Sequence, residues 1–150
     1  GLTMQIPAAL DQVTWLGRGP QESYADRQAS AFFGKYTLAA KDFFFPYVEP
    51  QETGNRTDTF WVTFTDRAGK GIKVTGDPKI NFNILPYSAA ELEARKHPWE
   101  LSPCGNWIVN LDYGQMGLAG EDSWGALPWP RYQLLPDRAY SVGFVLSAVK

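Results

Sequence analysis

Strict alternation of large apolar and polar side chains constrains this chain more than any other feature. From Asp58 to Thr65 the order Asp-Thr-Phe-Trp-Val-Thr-Phe-Thr sets Phe60, Val62 and Phe64 two residues apart, on one face of a strand. Asp66-Arg67-Ala68-Gly69 reads as a turn and Gly71 to Thr75 as the returning strand of a β-hairpin. Trp107, Val109, Leu111 and Tyr113 alternate in the same way, as do Tyr140, Val142, Phe144 and Leu146. Val13 to Leu16, Ala31 to Leu38, Phe43 to Val48 and Ile80 to Ile84 are further strand candidates. Aromatic residues at 15%, with 14 Gly and 11 Pro in 150 residues, suit short strands joined by many turns. The expectation is one all-β domain over residues 1–150: an antiparallel sandwich without repeats or linkers.

One helix interrupts the pattern. Ser88-Ala89-Ala90-Glu91 is a capping box, in which the serine hydroxyl accepts from the third backbone N–H and the glutamate reaches back. It predicts a short helix near 89–96, with Arg95 and Lys96 suiting the negative C-terminal end and Pro98 stopping it. A second helical turn is expected over Glu22 to Ala29.

Several function classes fall away. A net charge of −2 without any basic block argues against a nucleic-acid partner. No run of ~20 apolar residues points to a membrane helix. The chain opens on Gly1-Leu2-Thr3-Met4 with no leader-like segment and runs straight into a strand, as a cut within a longer polypeptide would. Cys104 is alone, so no intramolecular disulfide is possible, and His97 has no partner at metal-ligand spacing. Gly17-Arg18-Gly19-Pro20 lacks the third glycine of a dinucleotide loop, and Pro20 removes a backbone donor.

Three glycine-punctuated strings carry the remaining chemistry: residues 17–27, 46–58 and 111–125. Their carboxylates admit two readings. A glycosidase needs two carboxyls at a set separation; alternatively, Arg18, Arg27 and Arg56 clamp carboxylates in paired hydrogen bonds. The second reading makes Glu22, Asp26, Glu52 and Arg56 structural locks. Trp15, Trp61 and Trp107 lie on strands and are expected in the core, with Trp99 and Trp129 packing over sheet edges. Trp124 differs. It sits on a tight turn, Gly120-Glu121-Asp122-Ser123-Trp124-Gly125, where its ring can offer a flat apolar face to a sugar.

These strings, "GRGPQESYADR" at 17–27, "PYVEPQETGNRTD" at 46–58 and "LDYGQMGLAGEDSWG" at 111–125, resemble the C-terminal domain of the large bacterial β-galactosidases of glycoside hydrolase family two. "YSAAELEARKH" at 87–97 fits the same domain, so the resemblance spans Val13 to Val149. It implies an antiparallel β-supersandwich, similar to the galactose-mutarotase fold, of which this chain is the later part. It implies that the catalytic glutamates and a magnesium site belong to a barrel elsewhere in the polypeptide, with no catalytic residue and no metal ligand here. It matches Trp124 to the family's sugar-contacting tryptophan and places Asp122 beside it as a second substrate-side candidate. The family often has Gly-Asp-Asp where this chain has Gly120-Glu121-Asp122, an acid-for-acid change.

The partners so implied are that barrel, a terminal β-galactoside hydrolysed with retention, and further copies in a homo-oligomer. The compartment is left open between bacterial cytoplasm and periplasm. Two other readings stand beside this one: a free-standing carbohydrate-binding module, and a purely structural or oligomerisation domain.

Overall fold

The structure is a computed structural model that describes residues 1–122 and 124–150. Among the described residues, seven strands form one antiparallel sheet. They are β1 (Leu2–Ile6), β2 (Gln12–Gly19), β3 (Phe32–Ala39), β4 (Arg56–Thr65), β5 (Gly71–Leu85), β6 (Trp107–Asp112) and β7 (Gly143–Val149). The order across the sheet is β1-β6-β5-β4-β2-β3, with β7 also on β5. The fold class is all-β, as the alternation required.

Strand β5 is the spine. On one side of this 15-residue strand, Gly71–Thr75, Ile80 and Phe82 pair with β4. Its other side is shared: Gly71–Asp77 pair with β7 and Asn81–Leu85 with β6. The β4–β5 turn is the one the sequence indicated. Asp66 Oδ1 accepts from the N–H groups of Ala68 (2.8 Å) and Lys70 (2.9 Å), and Gly69 takes the left-handed backbone that the turn requires.

The core lies on one face. Val13 is paired with Phe64, Trp15 with Val62, Val62 with Val74, Phe82 with Leu111 and Ile84 with Val109, and directly opposed residues share a face. All of these are buried. Phe43, from the segment after β3, closes the cluster against Trp15 and Phe82 at centroid distances of 5.4 and 5.8 Å.

The structure corrects several local expectations. Phe60 does not join Val62 and Phe64: it is 43% exposed, while Thr59 is buried. The β4–β5 register shifts on both sides of Thr59, and each extra residue exchanges the faces that follow. The Phe43–Val48 segment is irregular because Phe43 turns inward and Pro46 lacks an N–H for a ladder. Glu22–Ala29 forms no helical turn. Tyr24 and Arg27 exchange backbone hydrogen bonds of 3.0 and 2.9 Å in a two-residue hairpin.

Trp61 and Trp107 are only partly buried. Trp61 lies on the outer face with the ammonium groups of Lys73 and Lys35 at 5.3 and 6.0 Å from its ring. Trp99 is exposed and stacks on His97 at 4.3 Å. Tyr113 and Tyr140 fall outside their strands, and Leu146 is exposed on β7.

The helix, α1 (Ala89–Ala94), starts where the cap sets it, with Glu91 N–H donating to Ser88 Oγ at 3.1 Å. It ends before Arg95. The Glu91 carboxylate does not reach back to the cap; it accepts from Arg95 Nε (3.0 Å) and the Ser102 N–H (2.9 Å).

Candidate functional site

The three strings meet at one end of the sheet, and the first of them joins the other two. Glu22 gathers the second string. Its Oε2 accepts from the Gly54 N–H (2.8 Å) and the Thr53 hydroxyl (3.2 Å), and its Oε1 from the Tyr47 hydroxyl and the Arg27 guanidinium. Gly54 has φ +78°, and a Cβ there would stand 2.5 Å from the Phe43 carbonyl oxygen. Only glycine lets the backbone approach Glu22 this way.

Ser23 completes the seam. Its N–H donates to the Asn55 carbonyl (2.8 Å), its carbonyl accepts from Asn55 Nδ2 (2.8 Å), and its hydroxyl meets Thr57 Oγ1 at 2.9 Å. Burial opposes ionisation of Glu22, but Tyr47, Gly54, Arg27 and Thr53 together hold its pKa below the ordinary value.

Arg56 lies beneath this seam, 2% exposed. Sequence logic expects a carboxylate partner; the structure supplies carbonyls and rings. Nη1 donates to Gly54 O (2.8 Å) and Asn55 O (3.3 Å), and the guanidinium carbon sits 4.4 Å from the Phe43 ring centroid and 5.4 Å from that of Trp15. Burial lowers its pKa to about 10, partly offset by the charge of Glu22. The arginines that do pair with carboxylates here are Arg27, with Glu22, and Arg18, whose Nε donates to Asp58 Oδ2 at 2.7 Å.

Glu52 faces a different partner. Its Oε1 accepts from Asn83 Nδ2 (2.7 Å), whose Oδ1 accepts from Asn110 Nδ2 (2.8 Å), and Thr3 Oγ1 donates to Asn110 Oδ1 (2.7 Å). A chain of amides thus runs across β5, β6 and β1 to one carboxylate. Burial, against the bond from Asn83 and with help from Asp112 and Glu22, raises the Glu52 pKa to about 7. Sequence reasoning did not single out this relay. Its signal was Asn83, the second of two asparagines in the strand Ile80-Asn81-Phe82-Asn83-Ile84-Leu85, and the one of the pair that is fully buried.

Asp26 joins the third string. Its two oxygens accept from the N–H groups of Leu118 (3.0 Å) and Ala119 (2.8 Å). A Cβ on Gly117 would meet Asp26 Oδ2 at 2.6 Å and Tyr132 Cβ at 2.9 Å, so a larger residue here would push the Asp26 carboxylate off its two N–H donors. The Gly117 N–H also donates to the Tyr132 carbonyl (2.8 Å), which folds the long β6–β7 connection back on itself. Further along, Asp122 Oδ1 accepts from the N–H groups of Trp124 (2.9 Å) and Ala126 (3.2 Å). That oxygen is committed to shaping the turn. Trp124 itself is 92% exposed, between Gly120 at φ +101° and Gly125 at φ +84°. Ser123 lies outside the described residues. Carboxylates thus fix the backbone of this loop, and the aromatic ring stands clear of it in solvent.

The sequence as a whole matches the family model described as Beta galactosidase small chain over residues 1–146. The chain belongs to this family. It is 41% identical over 147 residues to a beta-galactosidase of Priestia megaterium, covering 98% of this chain and 14% of that protein. Beta-galactosidases of Lactobacillus delbrueckii subsp. bulgaricus (39% over 148 residues) and Halalkalibacterium halodurans (38% over 149) are similar at 98% and 99% coverage of this chain, and 14% and 15% of theirs. The chain therefore spans about one seventh of the length of these relatives, and a small-chain segment of this kind is part of a much larger enzyme in each of them.

Proposed function

We propose that this small-chain segment is the non-catalytic later part of the C-terminal β-supersandwich of a retaining β-galactosidase. It supplies one wall of the sugar site, with Trp124 as the stacking surface, and supports a separate catalytic barrel. The barrel carries both glutamates and the magnesium site: one glutamate attacks the anomeric carbon and the other protonates the leaving oxygen of a terminal β-galactoside. Asp122 acts through the turn it shapes.

The observation that carries the reading is the exposed Trp124 ring on a backbone held by Asp26 and Asp122. A ring so placed adds apolar area to a bound pyranose and excludes water from one side. The groups that would grip the sugar's hydroxyls lie across the site, on the barrel.

The test is kinetic. In the polypeptide that joins this segment to its barrel, Trp124→Ala should raise KM and change the share of galactose passed to sugar acceptors, with thermal stability nearly unchanged. Unaltered KM and unaltered transfer would overturn the assignment. The segment by itself should not turn over a chromogenic β-galactoside.

A structural or oligomerisation role is favoured by one separate observation. Phe33 and Phe60 form an exposed edge-to-face pair at 5.7 Å on the outer face of the sheet, where a second domain or copy could cover them.

A further inference from the structure

We propose that a cavity between the β4–β5 strands and the long β6–β7 connection is a binding site for a neutral saccharide. The cavity measures about 460 Å³, within the ~300–1,000 Å³ typical of small-molecule sites. Asp58 and Asn81 line it from the sheet, and Tyr113, Gln115 and Tyr132 from the connection. A second hollow of about 310 Å³, under Ala119 and Glu121, shares Arg131 and Tyr132 as its wall. Arg131 and Tyr132 thus stand between the sheet-side cavity and the hollow under the Trp124-bearing loop. The proposal does not depend on Trp124 touching sugar.

The backbone marks both hollows. Among the described residues, Asp58 (φ +53°) and Ala119 (φ +59°) are the non-glycine residues in the left-handed region. Each lines one of the two hollows. Such conformations persist where the surrounding structure over-determines them, and they cluster at ligand sites. Asp58 sits where the β4–β5 register shifts, and bulges of this kind re-aim side chains. Here the shift brings the Asp58 carboxylate into the cavity lining, gripped by Arg18 and Lys79.

The lining chemistry selects the ligand class. Asp58 and Asp77 are balanced by Lys79 and Arg131, so the cavity favours neither an anion nor a cation. Asn81 and Gln115 line the cavity, and among the described residues their side-chain amides have no hydrogen-bond partner. An apolar occupant would leave these amides unpaired at a cost. A hydroxyl group both donates and accepts, and so fits an amide. The Tyr113 ring is 53% exposed and offers a surface for ring C–H groups. Amides, a held carboxylate and tyrosine rings around a charge-balanced hollow are the recognition set of a polyhydroxylated, uncharged ligand.

The experiment is titration of the full chain with lactose, followed by ¹⁵N NMR. The side-chain amide signals of Asn81 and Gln115 should move together and saturably. Asn81→Ala should weaken binding roughly three- to tenfold, the worth of one net hydrogen bond, whereas Trp124→Ala should leave it unchanged. Gln115→Ala, on an irregular segment, gives the same reading if the strand variant folds poorly. No shift up to the solubility limit of lactose, shifts confined to the Trp124 indole, or wild-type affinity in both amide variants would overturn the site. Failure of the Trp124 reading shows instead as an unchanged KM in the barrel-linked polypeptide, so the two outcomes are separable.

Discussion

Two regions built from the same kinds of residue behave in opposite ways. The seam between residues 20–27 and 46–58 and the loop around Trp124 are both rich in glycine, carboxylate and aromatic side chains. In the seam these groups turn inward. Glu22 is held by four donors, and Arg56 is sealed between backbone carbonyls and the rings of Phe43 and Trp15. In the Trp124 loop the carboxylates of Asp26 and Asp122 hold only backbone, and the aromatic ring is left outside. Composition does not separate architecture from recognition. The decisive quantity is whether a polar group's partners come from elsewhere in the fold or are still absent.

The contrast can be broken most severely at Arg56. Arg56→Ala removes two charge-assisted hydrogen bonds and leaves a void beside Phe43 and Trp15; about 3–4 kcal/mol of stability should be lost. A urea midpoint that falls at unchanged slope measures it, and an unmoved midpoint would remove the seam from the list of structural determinants.

Next comes pH. The Glu52 carboxyl has a folded pKa of about 7 against an ordinary 4.5. The folded state therefore binds more protons than the unfolded state between those values, and stability should fall as pH rises from about 4.5 to about 7. Asp112, also raised by burial, acts with the same sign at lower pH. Glu22 and Asp58, both lowered, act oppositely as pH drops through their own range. Glu52→Gln keeps an acceptor for Asn83 and should flatten the decline, by about 2 kcal/mol across the window given its partial exposure. Thermal midpoints at pH 5 and pH 7 for both proteins check this, and parallel slopes would reject it.

Asp26 sharpens the comparison, since it joins the two regions. Asp26→Ala should cost about 1–2 kcal/mol, because two backbone N–H groups lose their acceptor. It should also speed proteolytic cutting within 113–142 relative to the rest of the chain. Equal cutting rates in variant and parent would mean that the loop is held by other bonds, Gly117 to Tyr132 first among them. The smallest effect belongs to Trp124→Ala, whose unfolding midpoint should stay within about 0.5 kcal/mol of the parent. A large loss there would place the ring in the fold instead of at a binding face.

Much of the architecture was legible residue by residue. The hairpin at Asp66–Gly69, the strands from Val13, Ala31 and Ile80, and the cap at Ser88 rest on local rules: period-two alternation, an aspartate that hydrogen-bonds its own turn, a serine that accepts from the third N–H. The three strings were also visible as unusual, and the resemblance they carry agrees with the family match. The partners inside them were not visible. Arg56 stands one and two residues from the carbonyls it reaches and four from Glu52, and nothing in that spacing says which it takes. The Glu52–Asn83–Asn110–Thr3 relay joins residues up to 107 positions apart in sequence.

What the sequence by itself determined was the strand period, the turn chemistry, the helix start and the family, because each depends on neighbours within a few residues or on an ordered string. Tertiary structure alone decided the rest. It chose the side of β4 that Phe60 faces, since a register shift is a property of two strands together. It gave Asp26 to Leu118 and Ala119, more than 90 residues away. It left Trp124 outside while burying Trp15, for the physical reason that a side chain's burial is set by what the folded chain brings against it and not by its own hydrophobicity.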